Sequence, residues 1–220
     1  MPTIPYARVL FVCLGLLLQA PAAHAQASSN TSLNAQLLVA ARQSDLAAVQ
    51  QALARGAAPD SRNRLGKTVL MLAAEKGHAA MASAALVAGT DPNLASLDRV
   101  TPLMAASFGG SLDIVQALLV AGARTDSTDR MQKPAIVYAA GQGHAGVVQL
   151  LLDAGVAPDI PHVHQLTALM WAAGAGSVET IRLLLARGAR TDLRDDRGLT
   201  AADIARQAGQ MAVVALLEGR

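Results

Sequence analysis

The chain has 220 residues, of which 52% are hydrophobic and 2% are aromatic, and its formal net charge at pH 7 is +2. This near-neutral balance argues against nucleic acid as a partner, because nucleic-acid binding calls for clustered Lys and Arg. The single cysteine, Cys13, excludes a disulfide within the chain. The high content of Ala and Leu is typical of two-helix repeats with an aliphatic core and does not by itself indicate a membrane protein.

The first 25 residues have the pattern of a secretory signal peptide. Arg8 precedes an apolar run over residues 9–20, and residues 23–25 form an A-x-A cleavage site. The run is too short for a comfortable membrane span. We therefore predict a signal peptide at residues 1–25 with cleavage after Ala25. The mature protein is expected to be periplasmic or secreted, with no membrane segment.

Beyond this segment the chain repeats every 33 residues. The registers that keep this interval are Thr68, Thr101, Pro134, Thr167 and Thr200; Gly77, Gly110, Gly143, Gly176 and Gly209; Gly56, Gly89, Gly122, Gly155 and Gly188; and Asp60, Asn93, Asp126, Asp159 and Asp192. A period held without slippage indicates stacked units, each of which buries its apolar face on its neighbours.

Residues 101–126 show what one unit contains. Thr101 can cap a first helix, and Pro102 suits the first helical position, where no N–H is missed. Gly110 can turn left-handed and end that helix. Ser111 is expected to cap a second helix, which carries an apolar stripe. The pattern predicts a helix–turn–helix unit that is too small to bury its own apolar face.

The lines TPLMAASFGG, TVLMLAAEKGH and TALMWAAGAG resemble the TPLHxAAxxGH line of ankyrin repeats, and LLVAGARTD and LLARGARTD are similar to that family's LLLxxGAxxN. The resemblance covers about residues 30–220. It implies an all-α ankyrin-repeat solenoid of about six helix–turn–helix units with hairpin-like fingers. Within a domain at 26–220, the units are 30–62, 63–95, 96–128, 129–161, 162–194 and 195–220. The first unit is degenerate and polar, as a terminal cap requires.

The ankyrin family binds proteins through its fingertips and the inner surface of its first helices, so the resemblance implies another protein as the partner. Carried over by position, the expected protein-binding residues are Arg64, Leu65, Lys67, Glu75, Lys76, Leu97, Val100, Phe108, Arg130, Met131, Lys133, Gln142, Val163, His164 and Leu166. Phe108, beside a run of glycines and alanines, would form an apolar anchor. The alternative is that Phe108 folds onto the neighbouring repeat and is half-buried.

Exposed apolar side chains are expected to extend a partner-binding patch around Phe108. They are Leu97, Val100, Met131, Val163 and Leu166. Tyr138 and Trp171, one column along, are interpreted as core packing.

Five polar side chains are candidates for binding a metal ion or for joining helices. His78 and His144 occupy the family's Gly-His position, where the resemblance implies that the imidazole joins helices. His162 and His164, two apart on an extended finger, would point the same way and could share a metal with Asp159. Without a fourth ligand this signal is weak, and a finger that faces a partner is favoured.

Met71, Met104 and Met170 fill the column where ankyrin repeats usually place a histidine. A row of thioethers in an exported protein could serve copper binding or oxidant scavenging. Val137 interrupts the row, however, and filling of the core is the favoured interpretation.

The sequence carries no G-x-S-x-G, no H-E-x-x-H and no phosphate loop, and its paired acids, such as Asp195-Asp196, are expected where a finger meets solvent. We predict no catalytic residues, no cofactor and no metal.

Three functions remain as hypotheses for the exported module. The first is support of a periplasmic enzyme such as catalase in oxidative-stress defence, which resemblance to small exported bacterial ankyrin proteins implies. The second is an inhibitor or immunity-type protein that covers a secreted toxin enzyme, and the third is a metal- or oxidant-handling protein. A monomer is expected, with association through the apolar helix at 211–217 as the alternative.

Overall fold

A computed structural model describes the backbone of residues 20–219 and the side chains of residues 32–219. Most of the predicted signal peptide, residues 1–19, lies outside this range, and the predicted cleavage position falls within the first helix. The helices are α1 (Ala20–Gln43), α2 (Leu46–Ala54), α3 (Val69–Lys76), α4 (Ala79–Val87), α5 (Pro102–Phe108), α6 (Leu112–Val120), α7 (Ala135–Gln142), α8 (Ala145–Asp153), α9 (Ala168–Ala175), α10 (Val178–Ala186), α11 (Ala201–Gln207) and α12 (Met211–Leu217). No β-strand occurs in residues 20–219.

The helices stack in two layers, which confirms the predicted solenoid. Helices α3, α5, α7, α9 and α11 pack side by side as the first layer, and each packs on the second helix of its own unit. The extensive contacts between units join only units that are adjacent in sequence. The core is aliphatic, as expected. Met71, Met104 and Met170 are fully buried in it, as is Val137 in the same column, so the methionine row fills the core.

The first helices begin where the period predicts. Thr68, Thr101 and Thr167 each accept a hydrogen bond from the amide three residues on, at 3.3–3.4 Å. Pro134 takes the same position in α7 without a side-chain cap. Each hydroxyl satisfies one of the amides that a helix start leaves free. The predicted capping by threonine is therefore confirmed.

The predicted capping by Ser111 is wrong. Ser111 stands at the N-cap of α6 but makes no capping hydrogen bond. Its hydroxyl instead lies against Gly77 of the preceding unit, 3.2 Å from where a Cβ would stand on that glycine. His144 packs still more closely on Gly110, which has a φ of +68°. The recurrent glycine thus ends the first helix and also leaves room for the next unit.

The fingers between units end in tight turns rather than in paired strands. Asn63, Asp129 and Asp195 each accept two backbone amides with one side-chain oxygen, at 2.8–3.0 Å. Asp195 is buried by this arrangement, so the expectation that it meets solvent is wrong. The turns also require a left-handed residue, which is glycine at Gly66 and Gly198 but an unfavourable non-glycine at Gln132, with a φ of +58°.

Main-chain hydrogen bonds join neighbouring fingertips. The amide of Leu97 donates to the carbonyl of Leu65 at 2.9 Å, and the amide of Asp196 donates to the carbonyl of His164 at 3.1 Å. Such bonds fix the spacing of the tips along the array.

The two ends of the array differ. Helix α1 packs on α2 and α3, so the degenerate first unit is folded as a helix pair. In α12, Val213 and Val214 are buried and Met211 is 62% exposed, so much of the apolar run packs inside its own unit. No helix in the described part of the chain is both long and apolar enough to cross a bilayer.

Candidate protein-binding site

A cavity of about 410 Å³ opens on the face formed by the first helices of the last four units. We call it the aromatic trough. Its lining residues are Phe108, Lys133, Val137, Tyr138, Gly141, Gln142, Leu166, Met170, Trp171, Gly174, Ala175, Arg197 and Ile204. They come from α5, α7, α9, α11 and the fingers between them.

Every aromatic side chain that the structure describes lines the trough, namely Phe108, Tyr138 and Trp171. Phe108 is 53% exposed and meets Tyr138 edge-to-face, with 6.1 Å between ring centroids and 80° between planes. Trp171 packs over Gly141, where a Cβ would lie 3.6 Å from the indole ring. The Phe108 ring is thus exposed and also touches the next unit.

Two polar contacts hold the walls of the trough. The Tyr138 hydroxyl donates to Asp129 Oδ2 at 2.5 Å, while Asp129 Oδ1 accepts the amides of its own fingertip. Burial, together with the hydrogen bond and the charge of Asp129, raises the pKa of Tyr138 far above its ordinary value, so the hydroxyl stays a neutral donor. His144 Nε2 donates to the carbonyl of Phe108 at 3.0 Å. His144 therefore joins α8 to the end of α5, as expected of a Gly-His position.

The rim of the trough is cationic. The Lys133 ammonium lies 4.9 Å from the centroid of the Trp171 ring, a cation–π contact. The Arg197 guanidinium donates to Asp195 Oδ2 from two nitrogens, at 2.9 and 2.7 Å, and is largely exposed. Burial alone would raise the pKa of Asp195, but the amides of Leu199 and Arg197 and the guanidinium outweigh it and lower that pKa.

The structure places the expected protein-binding residues at two levels of exposure. The exposed ones are Arg64, Leu65, Glu75, Lys76, Leu97, Phe108, Arg130, Met131, Gln142 and His164. The half-buried ones are Lys67, Val100, Lys133, Val163 and Leu166. Val100 and Leu166 pack against the core, so the expected patch is smaller than the sequence indicated. Of the fifteen, Phe108, Lys133, Gln142 and Leu166 come together in the trough.

The expected binding residues of the first two fingers form separate local contacts. Lys67 and Glu75 pair with each other, with 2.6 Å between Nζ and Oε1. Lys76 donates to the carbonyl of Arg42 and to the Ser44 hydroxyl, which ties α3 to the first unit. Leu65 and Leu97 sit on adjacent, hydrogen-bonded tips, and each is more than half exposed.

The finger that carries His162 and His164 does not have the extended geometry on which the hypothesis of a shared metal ion depended. Residues 163–165 form a short 3₁₀ turn in which His164 is left-handed, so His162 and His164 are not on an extended strand. His164 Nδ1 lies 2.8 Å from Asp196 Oδ2, and burial lowers the pKa of His162. Within residues 32–219, no three His, Asp or Glu side chains gather as a metal site would require.

Sequence reasoning found only part of the role of Tyr138 and Trp171. Both were interpreted as core packing, and both do pack against the core, but each is half-buried and also lines the trough. A usable signal existed, because they are two of only three aromatic residues beyond residue 25 and they occupy one column of the period, 33 residues apart.

Stacked two-helix units with an open trough on the first-helix face define a helical repeat protein of the solenoid class. The family model for ankyrin repeats, in three copies, matches residues 37–129, 83–162 and 136–219. The chain therefore belongs to the ankyrin repeat family and is a protein–protein interaction module. A search of curated proteins gives no match.

Proposed function

We propose that the chain is a non-enzymatic scaffold that binds a partner protein in the aromatic trough. The observation that carries this proposal is the meeting of Phe108, Tyr138 and Trp171 at one open cavity. Aromatic side chains dominate the binding energy of protein interfaces, because they bury a large area at low cost in side-chain entropy. Trp171 is held by Lys133 and Tyr138 by Asp129, so these two rings are already positioned before a partner arrives.

The test is an affinity purification with Phe108→Ala as the variant and Val120→Ala as the matched control. Val120 is also a large exposed apolar residue, at 84%, but it lies on α6, outside the trough. Phe108→Ala should weaken binding of the captured partner by about 1–4 kcal/mol, while Val120→Ala should leave the affinity for that partner unchanged. Equal capture by all three proteins, with unchanged thermal unfolding, would place the binding site elsewhere.

Within this role we favour an exported module that supports a periplasmic enzyme, such as a catalase, in oxidative-stress defence. The proposal rests on the signal-like pattern at residues 1–25 and on the resemblance to small exported bacterial ankyrin proteins. The mass of the chain recovered from the periplasm tests export, since cleavage after Ala25 predicts an N-terminus at Gln26. Recovery of the uncleaved chain in the cytoplasm would rule export out.

The kinetic effect on the partner separates support from inhibition. A supported enzyme should keep its turnover and gain thermal stability when the chain is added. An enzyme that the chain inhibits should instead lose turnover in proportion to occupancy. Loss of turnover would therefore replace the supporting role with the inhibitor or immunity-type role.

A further inference from the structure

The 33-residue period allows one lysine position to be compared between units. Lys67 and Lys133 stand two periods apart at the same finger register. Lys67 pairs with Glu75, at 2.6 Å. Two periods on from Glu75 stands Gly141, so the unit that holds Lys133 lacks this carboxylate. The Trp171 ring takes the space above Gly141 instead, and Lys133 lies over that ring.

The other carboxylates beside the trough are already engaged. Asp129 is buried and binds the Tyr138 hydroxyl and two amides, and Asp195 is buried and binds Arg197 and two amides. Among the described residues, Lys133 has no carboxylate partner. Of the described residues, Lys133 and Arg197 are the only charged ones that line the trough, and both are positive. The cavity is otherwise apolar along most of its surface, which strengthens an ion pair at its rim relative to one in bulk water.

We propose that the trough recognises a peptide segment of the partner that places a large apolar side chain in the cavity and an Asp or Glu side chain, within two residues of it, on Lys133. The inference rests on the proposed function and specifies the chemistry of its partner. The apolar side chain would pack among Phe108, Trp171 and Ile204. The carboxylate would pair with the Lys133 ammonium from the open side of the trough, as Glu75 pairs with Lys67 in its own unit. A half-buried lysine gains more from such a partner than a fully exposed one does.

The first experiment selects a random dodecapeptide phage library against the purified protein and, in parallel, against Lys133→Gln. Enriched peptides should combine a Phe, Leu or Trp with an Asp or Glu within two positions. Against Lys133→Gln the acidic preference should disappear. Enrichment of apolar peptides without an acidic residue would overturn the proposal, as would the absence of any enriched peptide.

A charge swap on one enriched peptide then tests the ion pair, with affinity measured by fluorescence anisotropy. Lys133→Gln, or Glu→Gln in the peptide, should each weaken binding about three- to tenfold, and the loss should shrink as salt rises. Lys133→Glu should bind the peptide with Glu→Lys better than it binds the original. Arg182→Gln, an exposed charge removal on α10 outside the trough, serves as the control and should leave affinity unchanged.

The two proposals fail in different ways. If Phe108→Ala abolishes peptide binding while Lys133→Gln does not change it, the trough binds partners but the acidic requirement is wrong. If neither variant changes peptide binding, the peptide binds elsewhere and the proposal is overturned. The affinity purification with Phe108→Ala then decides independently whether the trough binds a folded partner.

Discussion

Replacement of Asp195 should destabilise the junction between the last two units. One oxygen of this buried side chain accepts the amides of Arg197 and Leu199, each at 2.9 Å, and the other accepts the Arg197 guanidinium. Asp195→Ala removes the acceptor from two amides, at about 0.5–1.5 kcal/mol each. It also removes an ion pair worth about 0–1 kcal/mol, because the guanidinium is largely exposed. The expected loss in the free energy of unfolding is therefore about 1–4 kcal/mol.

Asp195→Asn is the matched variant. Asn63 shows that an amide oxygen can accept the same two backbone amides, so Asn at 195 should keep the turn and lose only the ion pair. We expect a loss of about 1 kcal/mol or less. Urea unfolding followed by circular dichroism measures both variants. If Asn proved as destabilising as Ala, the charge and not the acceptor geometry would hold the fingertip.

The pH dependence gives an independent check. The pKa of Asp195 is lowered in the folded protein, so the folded state favours the ionised form. The resulting stability is present above the unfolded-state pKa of about 3.9 and is lost as pH falls through the folded-state pKa. The difference in the free energy of unfolding between wild type and Asp195→Asn should therefore be largest at pH 6 and should shrink below about pH 4. A difference that grew with acid would refute the reasoning.

Three further outcomes are expected. Gln132→Gly should raise the free energy of unfolding by about 0.5–1 kcal/mol, because φ there is +58°; an unchanged urea midpoint would contradict this. His144→Ala should lower thermal stability by about 1–2 kcal/mol through loss of the bond to the carbonyl of Phe108, and an unchanged Tm would show that the bond contributes nothing. Dilute peroxide should oxidise the exposed Met131 before the buried Met104, as read by peptide mass spectrometry; early oxidation of Met104 would reopen the oxidant-handling hypothesis.

The sequence predicted what depends on nearby residues and on the period. Thr68 and Thr101 begin helices because a threonine cap needs only the three residues that follow it. Ser111 had the same local chemistry, yet its hydroxyl lies against Gly77 in the preceding unit, a contact that no local rule could reveal. The role of Asp195 was missed because a carboxylate beside solvent and one folded into a turn look alike in sequence.

The candidate site was predicted only in part. Phe108 was identified because it interrupts a run of small residues at an open position. Trp171 was not, because whether a helix column is buried or faces a groove depends on the size of its neighbours in the adjoining unit. At this position Gly141 leaves a space that the indole fills from the side. Whether a side chain is buried or lines a groove is therefore decided by two stacked units together and cannot be predicted from either unit alone.

The trough begins at α5, and no described residue of the two units at 30–62 and 63–95 contributes to its lining. Among the described residues, extensive contacts pass only between adjacent units, so the gain or loss of one whole unit before residue 96 would leave the trough in place. Gene duplication could thus lengthen or shorten the protein while selection on its partner acted only on the later units. The first units, which cap the array, and the later units, which line the trough, can therefore evolve independently within one gene.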